Sequence, residues 1–397
     1  MNYLPFHDIE DDSEDDGDDR REPDDEKKVQ WLAGMPIITN VTIEKANWIE
    51  KAGTGIANSR SLRKIQVYIE FNDRDDNNDD WLHEVCDAIS RNRSIEEFAL
   101  SMIDDRSSVM DEHRPIDVDI FNVLAPFFEQ NDKLRVIKIE GVTSKELNSL
   151  LSTLPKCTKK NNSIQLYMRE QGLTLGGWRS FFAFLSHPDC MLESLRLCSI
   201  FLTSDDEDDE EYEAISCLGA ALAVNTTLKG LCLDSINTIT TAGWLGFLNR
   251  LRNSHSALES LCLCDCEIDD EVAEATIMAL AEISTIKMLD MMWNDIDLSG
   301  TVVARVLCDK TSINSTFSSN HTLFDLLVVR FYPDELDAIS SCLNMNRDVN
   351  KSKVAHKKIL EYHFPGVEWG LKHLLLCQRQ PFLMPSNGLG GIGMDIR

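Results

Sequence analysis

The sequence has 397 residues, of which 43% are hydrophobic, and its 67 acidic side chains outnumber 39 basic ones, giving a formal net charge of −28. This length and apolar content suffice for a large core, whereas the negative charge disfavours binding to nucleic acid. The chain does not open with a basic segment and an apolar run, and no stretch reaches 18 apolar residues, so neither a signal peptide nor a membrane partner is expected. We therefore expect a cytoplasmic protein, with the nucleus as the alternative.

The first segment, residues 1–30, is predicted to be a disordered acidic arm. Residues 8–26 hold 13 acidic and two basic side chains. A segment with so few apolar residues and so much like charge buries too little surface to offset the conformational entropy that it would lose on ordering.

A repeated apolar pattern then extends from residue 31 to residue 345. Its clearest copy is Leu258-x-x-Leu261-x-Leu263-x-x-Cys266-x-Ile268, which recurs 28 positions later as Ile286-x-x-Leu289-x-Met291-x-x-Asn294-x-Ile296. Further good copies begin at Leu62, Ile95, Leu134, Leu192 and Leu228. Weaker copies are Leu32-x-x-Met35-x-Ile37, Asn161-x-x-Ile164-x-Leu166 and Leu323-x-x-Leu326-x-Val328. The ten copies predict ten short strands.

Stripes of apolar or small residues at helical spacing precede several of these strands. One is Trp244, Phe247, Leu248 and Leu251, and four similar stripes begin at Ile49, Leu82, Phe121 and Trp178. The gap from each stripe to the next strand pattern is six or seven residues. This constant offset predicts a repeated unit of strand, loop and helix, whose apolar faces become dry only when neighbouring units stack.

The repeat resembles that of the ribonuclease-inhibitor-like class of leucine-rich repeat proteins, over roughly residues 31–345. The resemblance implies an α/β solenoid, or horseshoe, with a parallel β-sheet on its concave face and helices on its convex face. It also implies a monomer without a cofactor that binds a protein partner on the concave face. Three intervals between copies, of 39, 36 and 37 residues, exceed the usual 27 to 33 and indicate insertions.

Three more acidic segments, residues 72–80, 104–119 and 205–213, lie between a strand and the following helix. Loops of this kind emerge on one rim of a solenoid, so the segments would form an acidic edge. The edge either makes the surface more soluble or docks a basic partner. The candidate rim residues are Asp205, Asp206, Glu207, Asp208, Asp209, Glu210 and Glu211.

Side chains that alternate with the inward leucines would face the concave side, where they are either merely solvated or contact a partner. Aromatic and arginine side chains contribute most to protein interfaces, so Tyr68, Tyr167, Arg169 and Arg196 are the preferred anchors. The full set of candidate partner-binding residues is Tyr68, Lys138, Tyr167, Arg169, Arg196, Asp234, Asp290 and Met292.

Three of the twelve cysteines, Cys232, Cys262 and Cys264, are predicted to lie together on this face, about 5 to 7 Å apart. Three interpretations stay open: ordinary reduced thiols, which is the leading one, oxidation-sensitive thiols, and a metal cluster. Because a parallel sheet lacks the tight turn of a Cys-x-x-Cys motif, no metal ligand is assigned.

No catalytic motif is recognised, so no catalytic residue is assigned and an enzyme is not expected. Residues 346–380 are predicted to form a helical cap that closes the solenoid, with the basic residues between Arg347 and Lys358 on its exposed side. Gly388-x-Gly390-x-x-Gly393 lies too near the end of the sequence to begin a dinucleotide-binding helix, and residues 381–397 are predicted to be a flexible tail.

Three functions are compatible with these features. The first is a protein-binding scaffold or adaptor without catalytic activity. The second is an acidic chaperone or adaptor for basic proteins such as histones. The third is a GTPase-activating regulator, because Ran GTPase-activating proteins share the repeat class and an acidic segment, although their acidic segment follows the repeats and here it precedes them.

Overall fold

The computed structural model describes residues 40–44, 50–70, 80–103, 120–141, 144–157, 164–169, 172–173, 175–190, 192–202, 209–236, 239–252, 256–328 and 333–366. The strands are β1 (Asn40–Glu44), β2 (Lys64–Glu70), β3 (Glu97–Ile103), β4 (Val136–Glu140), β5 (Ile164–Arg169), β6 (Gly172–Leu173), β7 (Leu192–Cys198), β8 (Phe201–Leu202), β9 (Gly230–Asp234), β10 (Ser260–Cys264), β11 (Met288–Asp290) and β12 (Asp325–Leu327). The helices are α1 (Glu50–Asn58), α2 (Asp80–Arg91), α3 (Ile120–Gln130), α4 (Ser144–Cys157), α5 (Leu175–Leu185), α6 (Asp209–Val224), α7 (Thr241–Arg252), α8 (Asp270–Ala279), α9 (Gly300–Leu307), α10 (Ile313–Phe317), α11 (Pro333–Asn346) and α12 (Lys351–His363).

Within the described ranges, ten strands form one open parallel sheet in the order β1-β2-β3-β4-β5-β7-β9-β10-β11-β12. The short strands β6 and β8 pair with each other in a separate parallel ladder. At least one helix lies between each pair of neighbouring strands in the main sheet. The molecule is therefore an α/β leucine-rich repeat solenoid, as the sequence predicted.

The core lies between the sheet and the layer of helices. Leu261 and Leu263 of β10 are 1% and 0% exposed, whereas the residues that alternate with them are only half-buried. On the helical side, the predicted stripe of α7, with Trp244 and Phe247 among its members, is fully buried. Alternation along each strand thus separates a buried face from an outward face, which is the concave face of the solenoid.

Buried asparagines hold four of the turns that lead from a helix into the next strand. Asn225 is representative, because its Nδ2 donates to the carbonyl of Leu185 in the preceding repeat at 2.7 Å. Its Oδ1 accepts from the backbone N–H groups of Thr227 and Leu228 at 2.9 and 2.7 Å. These bonds satisfy backbone groups that burial would otherwise leave unpaired. Equivalent asparagines, missed in the sequence, are Asn92, Asn131 and Asn320.

For two of the weaker repeat copies, the register predicted from the sequence pattern is wrong. In β1, Val41 and Ile43 pair with Ile65 and Val67, so the strand begins six residues later than Met35 and Ile37 suggested. In β5, Leu166 pairs with Ile137 and Met168 pairs with Ile139, a shift of two residues from the predicted Ile164 and Leu166. Both shifts are even, so the outward residues of β5 stay on the predicted face.

The C-terminal helices α11 and α12 follow the last strand and include the described part of the predicted cap. The prediction that the basic residues face solvent is wrong for Lys358, which is 0% exposed. Its Nζ donates to the carbonyl oxygens of Leu307 and Asn320 at 2.5 and 3.0 Å, because the end of α9 and the turn after α10 leave these two acceptors beneath α12. The predicted acidic arm (1–30) and tail (381–397) lie outside the described residues.

Candidate binding site on the concave face

The outward residues of the sheet form three rows across neighbouring strands, and strand register defines them. The first row contains Lys64, Glu97, Val136, Gln165, Ser194, Gly230, Ser260, Met288 and Asp325. The middle row contains Gln66, Ala99, Lys138, Tyr167, Arg196, Cys232, Cys262, Asp290 and Leu327. The third row contains Tyr68, Ser101, Glu140, Arg169, Cys198, Asp234 and Cys264.

A group of charged and aromatic side chains occupies the N-terminal part of this face. Glu97 lies between two lysines, with its Oε1 3.1 Å from the Nζ of Lys64 and 3.1 Å from the Nζ of Lys138. Partial burial raises the pKa of the Glu97 carboxyl, but the two lysines outweigh burial, so its pKa is below the usual value. The Nζ of Lys138 also lies 5.4 Å from the centre of the Tyr167 ring, within range of a cation–π interaction.

The third row places Arg169 beside Glu140, with Nε and Oε1 3.8 Å apart. Glu140 is fixed from its other side by the hydroxyl of Ser101, which donates to Oε2 at 2.7 Å. The Arg169 side chain is 62% exposed. At the start of this row, the Tyr68 hydroxyl accepts a hydrogen bond from Gln66.

Farther along the sheet, Arg196 forms an ion pair with Asp234, whose Oδ2 lies 2.6 Å from Nη2. Burial lowers the pKa of the guanidinium, but the bond to Asp234 more than reverses this effect and raises the pKa. The two side chains are only 23% and 20% exposed. Arg196, one of the predicted anchors, thus has an ion-pair partner within the sheet.

Just past the third row, five of the described repeats have a residue with a left-handed backbone at the same position. Gly141, Ser199, Ser235, Asp265 and Trp293 all have positive φ and follow β4, β7, β9, β10 and β11 at equivalent positions. Four are glycine, serine or aspartate, but Trp293 has φ of 64° and is 71% exposed. An indole held in a strained conformation and open to solvent suggests a functional role.

Trp293 was missed as a site residue in the sequence. The signal available there was a tryptophan two residues after Met291, at a position where other repeats carry small or polar residues.

The three predicted cysteines do come together. The Sγ atoms of Cys232 and Cys262 are 3.0 Å apart, and those of Cys262 and Cys264 are 3.2 Å apart. The contacts with Cys232 and Cys264 lower the pKa of Cys262, and the same contacts raise the pKa values of its two neighbours, since one thiolate is best stabilised between two thiols.

Two other predicted residues lie beside this cluster. Asp290 is the register partner of Cys262, and its Oδ1 accepts from the backbone N–H of Met292 at 3.0 Å. The Met292 side chain is half-buried just past the end of β11.

Most of the predicted acidic edge lies outside the described residues. Asp205, Asp206, Glu207 and Asp208 lie outside the described residues. Asp209, Glu210 and Glu211 begin α6. None of the helices in the described part of the chain is long and apolar enough to span a membrane.

Parts of the chain are similar to curated proteins whose names include leucine-rich repeats. NACHT, LRR and PYD domains-containing protein 9C of Mus musculus is 30% identical over 125 residues, covering 32% of this chain and 11% of that protein. NACHT, LRR and PYD domains-containing protein 9B of Mus musculus is 31% identical over 125 residues, again covering 32% of this chain and 11% of that protein. NACHT, LRR and PYD domains-containing protein 12 of Homo sapiens is 26% identical over 166 residues, covering 41% of this chain and 14% of that protein. The chain thus spans less than a sixth of these relatives' length. No model of a known protein family matches it.

Proposed function

We propose that this chain is a protein-binding scaffold or adaptor, of the ribonuclease-inhibitor-like class and without catalytic activity, that holds its partner on the concave face. The observation that carries this proposal is the sheet itself: ten parallel strands present three rows of outward side chains, with charged and aromatic groups ordered by contacts within the rows. Side chains fixed in advance lose little conformational entropy when a partner binds.

Three residues are the proposed anchors. Tyr167 lies in the middle row against Lys138. Arg169 is 62% exposed in the third row. Trp293, 71% exposed, stands on the rim at the other end of the sheet. Tyrosine, arginine and tryptophan are the residue types whose truncation most often costs binding energy.

The partner is proposed to be a basic protein. The net charge of −28, concentrated in residues 8–26 and the three strand-to-helix segments, would attract positively charged proteins over long range. In this proposal the protein is a cytoplasmic monomer. A chaperone for basic proteins such as histones is the more specific form of the same proposal, and the same charge supports it.

The relatives contribute one further point. Their names include LRR domains, and the similarity to this chain extends over 125 to 166 residues. From them we infer only that this chain has leucine-rich repeats that act in protein interaction, because the match covers just 11 to 14% of each relative.

The test is affinity capture with full-length chain that carries Tyr167→Ala and Arg169→Ala on β5. The matched control carries Arg179→Ala and Ser180→Ala, two exposed residues of the next helix, α5, on the opposite layer. Proteins captured by the wild type and the control, but lost with the β5 variant, would be concave-face partners.

Equal capture by all three chains would contradict the proposal. Capture that depends on residues 1–28 but not on β5 would assign binding to the acidic arm instead. The chemistry of the captured protein, basic or not, then tests the charge argument separately.

A further inference from the structure

A cluster of potential metal ligands lies in the C-terminal half of the concave face. The Sγ atoms of Cys262 and Cys264 and a carboxylate oxygen of Asp290 all lie within 4.8 Å of one another. The Sγ of Cys232 is 3.0 Å from that of Cys262. Cys262 therefore lies next to two further sulfurs, those of Cys232 and Cys264, and near one carboxylate oxygen, so the cluster has four potential donors on three adjacent strands.

We propose that Cys232, Cys262, Cys264 and Asp290 bind one thiophilic divalent cation, Zn²⁺ in particular. Thiolate sulfur selects zinc over the hard cations magnesium and calcium, and a carboxylate oxygen is an accepted fourth zinc ligand. The site is independent of the proposed partner, because it rests only on the positions of these four side chains.

Cys262, Cys264 and Asp290 already lie close enough together for one tetrahedral ion, whereas Cys232 contacts only Cys262 and its side chain must rotate toward the other two donors to complete the site. Zinc binds sulfur at about 2.3 Å, so two thiolates in a tetrahedral site lie about 3.8 Å apart. The observed separations of 3.0 and 3.2 Å need to open by less than about 1 Å to reach that value. An ion inserted between the sulfurs would also separate atoms that are closer than ordinary van der Waals contact.

The parallel sheet supplies what a Cys-x-x-Cys turn supplies elsewhere. Cys262 and Cys264 point the same way from β10, two residues apart. Cys232 and Asp290 are the register partners of Cys262 on the strands to either side. The potential metal ligands therefore come from three strands, β9, β10 and β11. The spacing of the cysteines within β10 alone does not predict this arrangement.

Neighbouring groups orient and balance the ligands. The backbone N–H of Met292 donates to Oδ1 of Asp290 at 3.0 Å, which fixes the carboxylate, as outer hydrogen bonds commonly do for metal ligands. Arg196 is the register partner of Cys232 and contributes positive charge beside a site whose four ligands would carry four negative charges.

A disulfide between Cys232 and Cys262 is the competing chemistry. It would use two of the three sulfurs and give no role to Cys264 or Asp290. The two possibilities therefore differ in which cysteines become protected and in whether a metal is needed.

The first experiment is a titration of reduced, chelator-treated full-length protein with Co²⁺ under anaerobic conditions. One equivalent should produce thiolate-to-cobalt charge-transfer absorption, and Zn²⁺ should abolish it by displacement. Cys262→Ser and Cys264→Ser should lose the absorption, and Asp290→Ala should weaken binding at least tenfold. Cys198→Ser, which removes another half-buried cysteine of the concave face, should bind as the wild type does.

A second measurement avoids any dependence on how well the variants fold. In the wild-type protein, Zn²⁺ should protect Cys232, Cys262 and Cys264 from alkylation, as read by peptide mass spectrometry, and leave Cys198 unchanged. The proposal is overturned if reduced protein gives no charge-transfer absorption, if the Cys262→Ser and Cys264→Ser variants retain it, or if zinc protects none of the three cysteines. A Cys232–Cys262 disulfide in protein that binds no Co²⁺ after reduction would assign the cluster to redox chemistry instead.

Discussion

The guanidinium of Arg196 on β7 reaches the carboxylate of Asp234 on β9, with 2.6 Å between Nη2 and Oδ2. The pair runs diagonally from the middle row to the third row, since the direct register partner of Arg196 is Cys232. It therefore links two repeats whose segments are 38 residues apart in sequence. Because both side chains are less than a quarter exposed, solvent screens this pair less than an ordinary surface ion pair.

A double-mutant cycle should measure this link. Arg196→Met and Asp234→Asn should each destabilise the protein, because each leaves a partly buried charged partner uncompensated. The double variant should lose less than the sum, by on the order of 1 kcal/mol, in urea unfolding. Strict additivity would show that the contact contributes nothing to folding stability.

Replacing an inward residue should cost far more than replacing its outward neighbour. Leu261→Ala should lower the free energy of unfolding by about 2 to 5 kcal/mol, since Leu261 is 1% exposed and its truncation leaves a cavity in the stack. Ser260→Ala, one residue earlier on the outward face of β10, should change it by less than about 0.5 kcal/mol. Chemical denaturation of the two variants compares them directly, and equal losses would contradict the assigned faces of the strand.

The stability of the C-terminal cap should depend on pH through Lys358. Burial lowers the pKa of this lysine from 10.5 to about 8. Between about pH 8 and pH 10.5 the folded chain has released this proton and the unfolded chain has not, so the wild type should gain stability as the pH rises through this window. The gain relative to Lys358→Met should approach about 3 kcal/mol.

Lys357→Met is the control for this measurement, because Lys357 is exposed on the same helix. Cys342 and Cys308, which both influence the pKa of Lys358, are present in both variants. Thermal unfolding at several pH values gives the comparison. The same pH dependence in wild type and Lys358→Met would rule out Lys358 as the titrating group.

Trp293 should be dispensable for folding even though it is a large apolar residue. A left-handed backbone costs a residue other than glycine about 1 to 2 kcal/mol. Trp293→Gly should therefore leave the free energy of unfolding unchanged or raise it by up to about 1 kcal/mol, after allowing for the greater entropy of glycine in the unfolded chain. A loss of several kcal/mol would mean that the indole packs against the fold.

The matched control is Trp244→Ala, since Trp244 is 1% exposed in α7 and its truncation should cost about 3 to 5 kcal/mol. With a partner from the capture experiment, Trp293→Gly should weaken binding at least tenfold. Unchanged affinity would remove Trp293 from the set of anchors.

The acidic segment 205–213 should affect the rate at which a basic partner associates. Neutralising its eight acidic residues to the corresponding amides should slow association and leave dissociation nearly unchanged, because exposed rim charges act mainly before contact. Raising salt from 0.1 to 1 M, which shortens the screening length from about 10 to about 3 Å, should have the same effect on the wild type.

Neutralising Asp270, Glu271 and Glu274, exposed acidic residues of α8, provides a control on the helical layer. Stopped-flow binding separates the two rate constants. Binding that is indifferent to salt and to the 205–213 variant would show that the segment only improves solubility.

The sequence alone determined the repeat, its period and the face on which each strand residue lies. These features follow from local periodicity, because alternate residues of a strand point to opposite faces whatever the neighbouring repeats do. Tyr167 and Arg169 illustrate this, since their strand was placed two residues out of register and their outward orientation was still right.

Only the tertiary structure decided which of these side chains meet. Register between strands about 30 residues apart brings Asp290 to Cys262 and Glu97 between Lys64 and Lys138. Stacking of the last helices buries Lys358, which the sequence placed among exposed lysines, because two backbone carbonyls there require a donor. Periodicity determines which way a residue faces, but the packing of one repeat against the next determines its partner and its electrostatic environment.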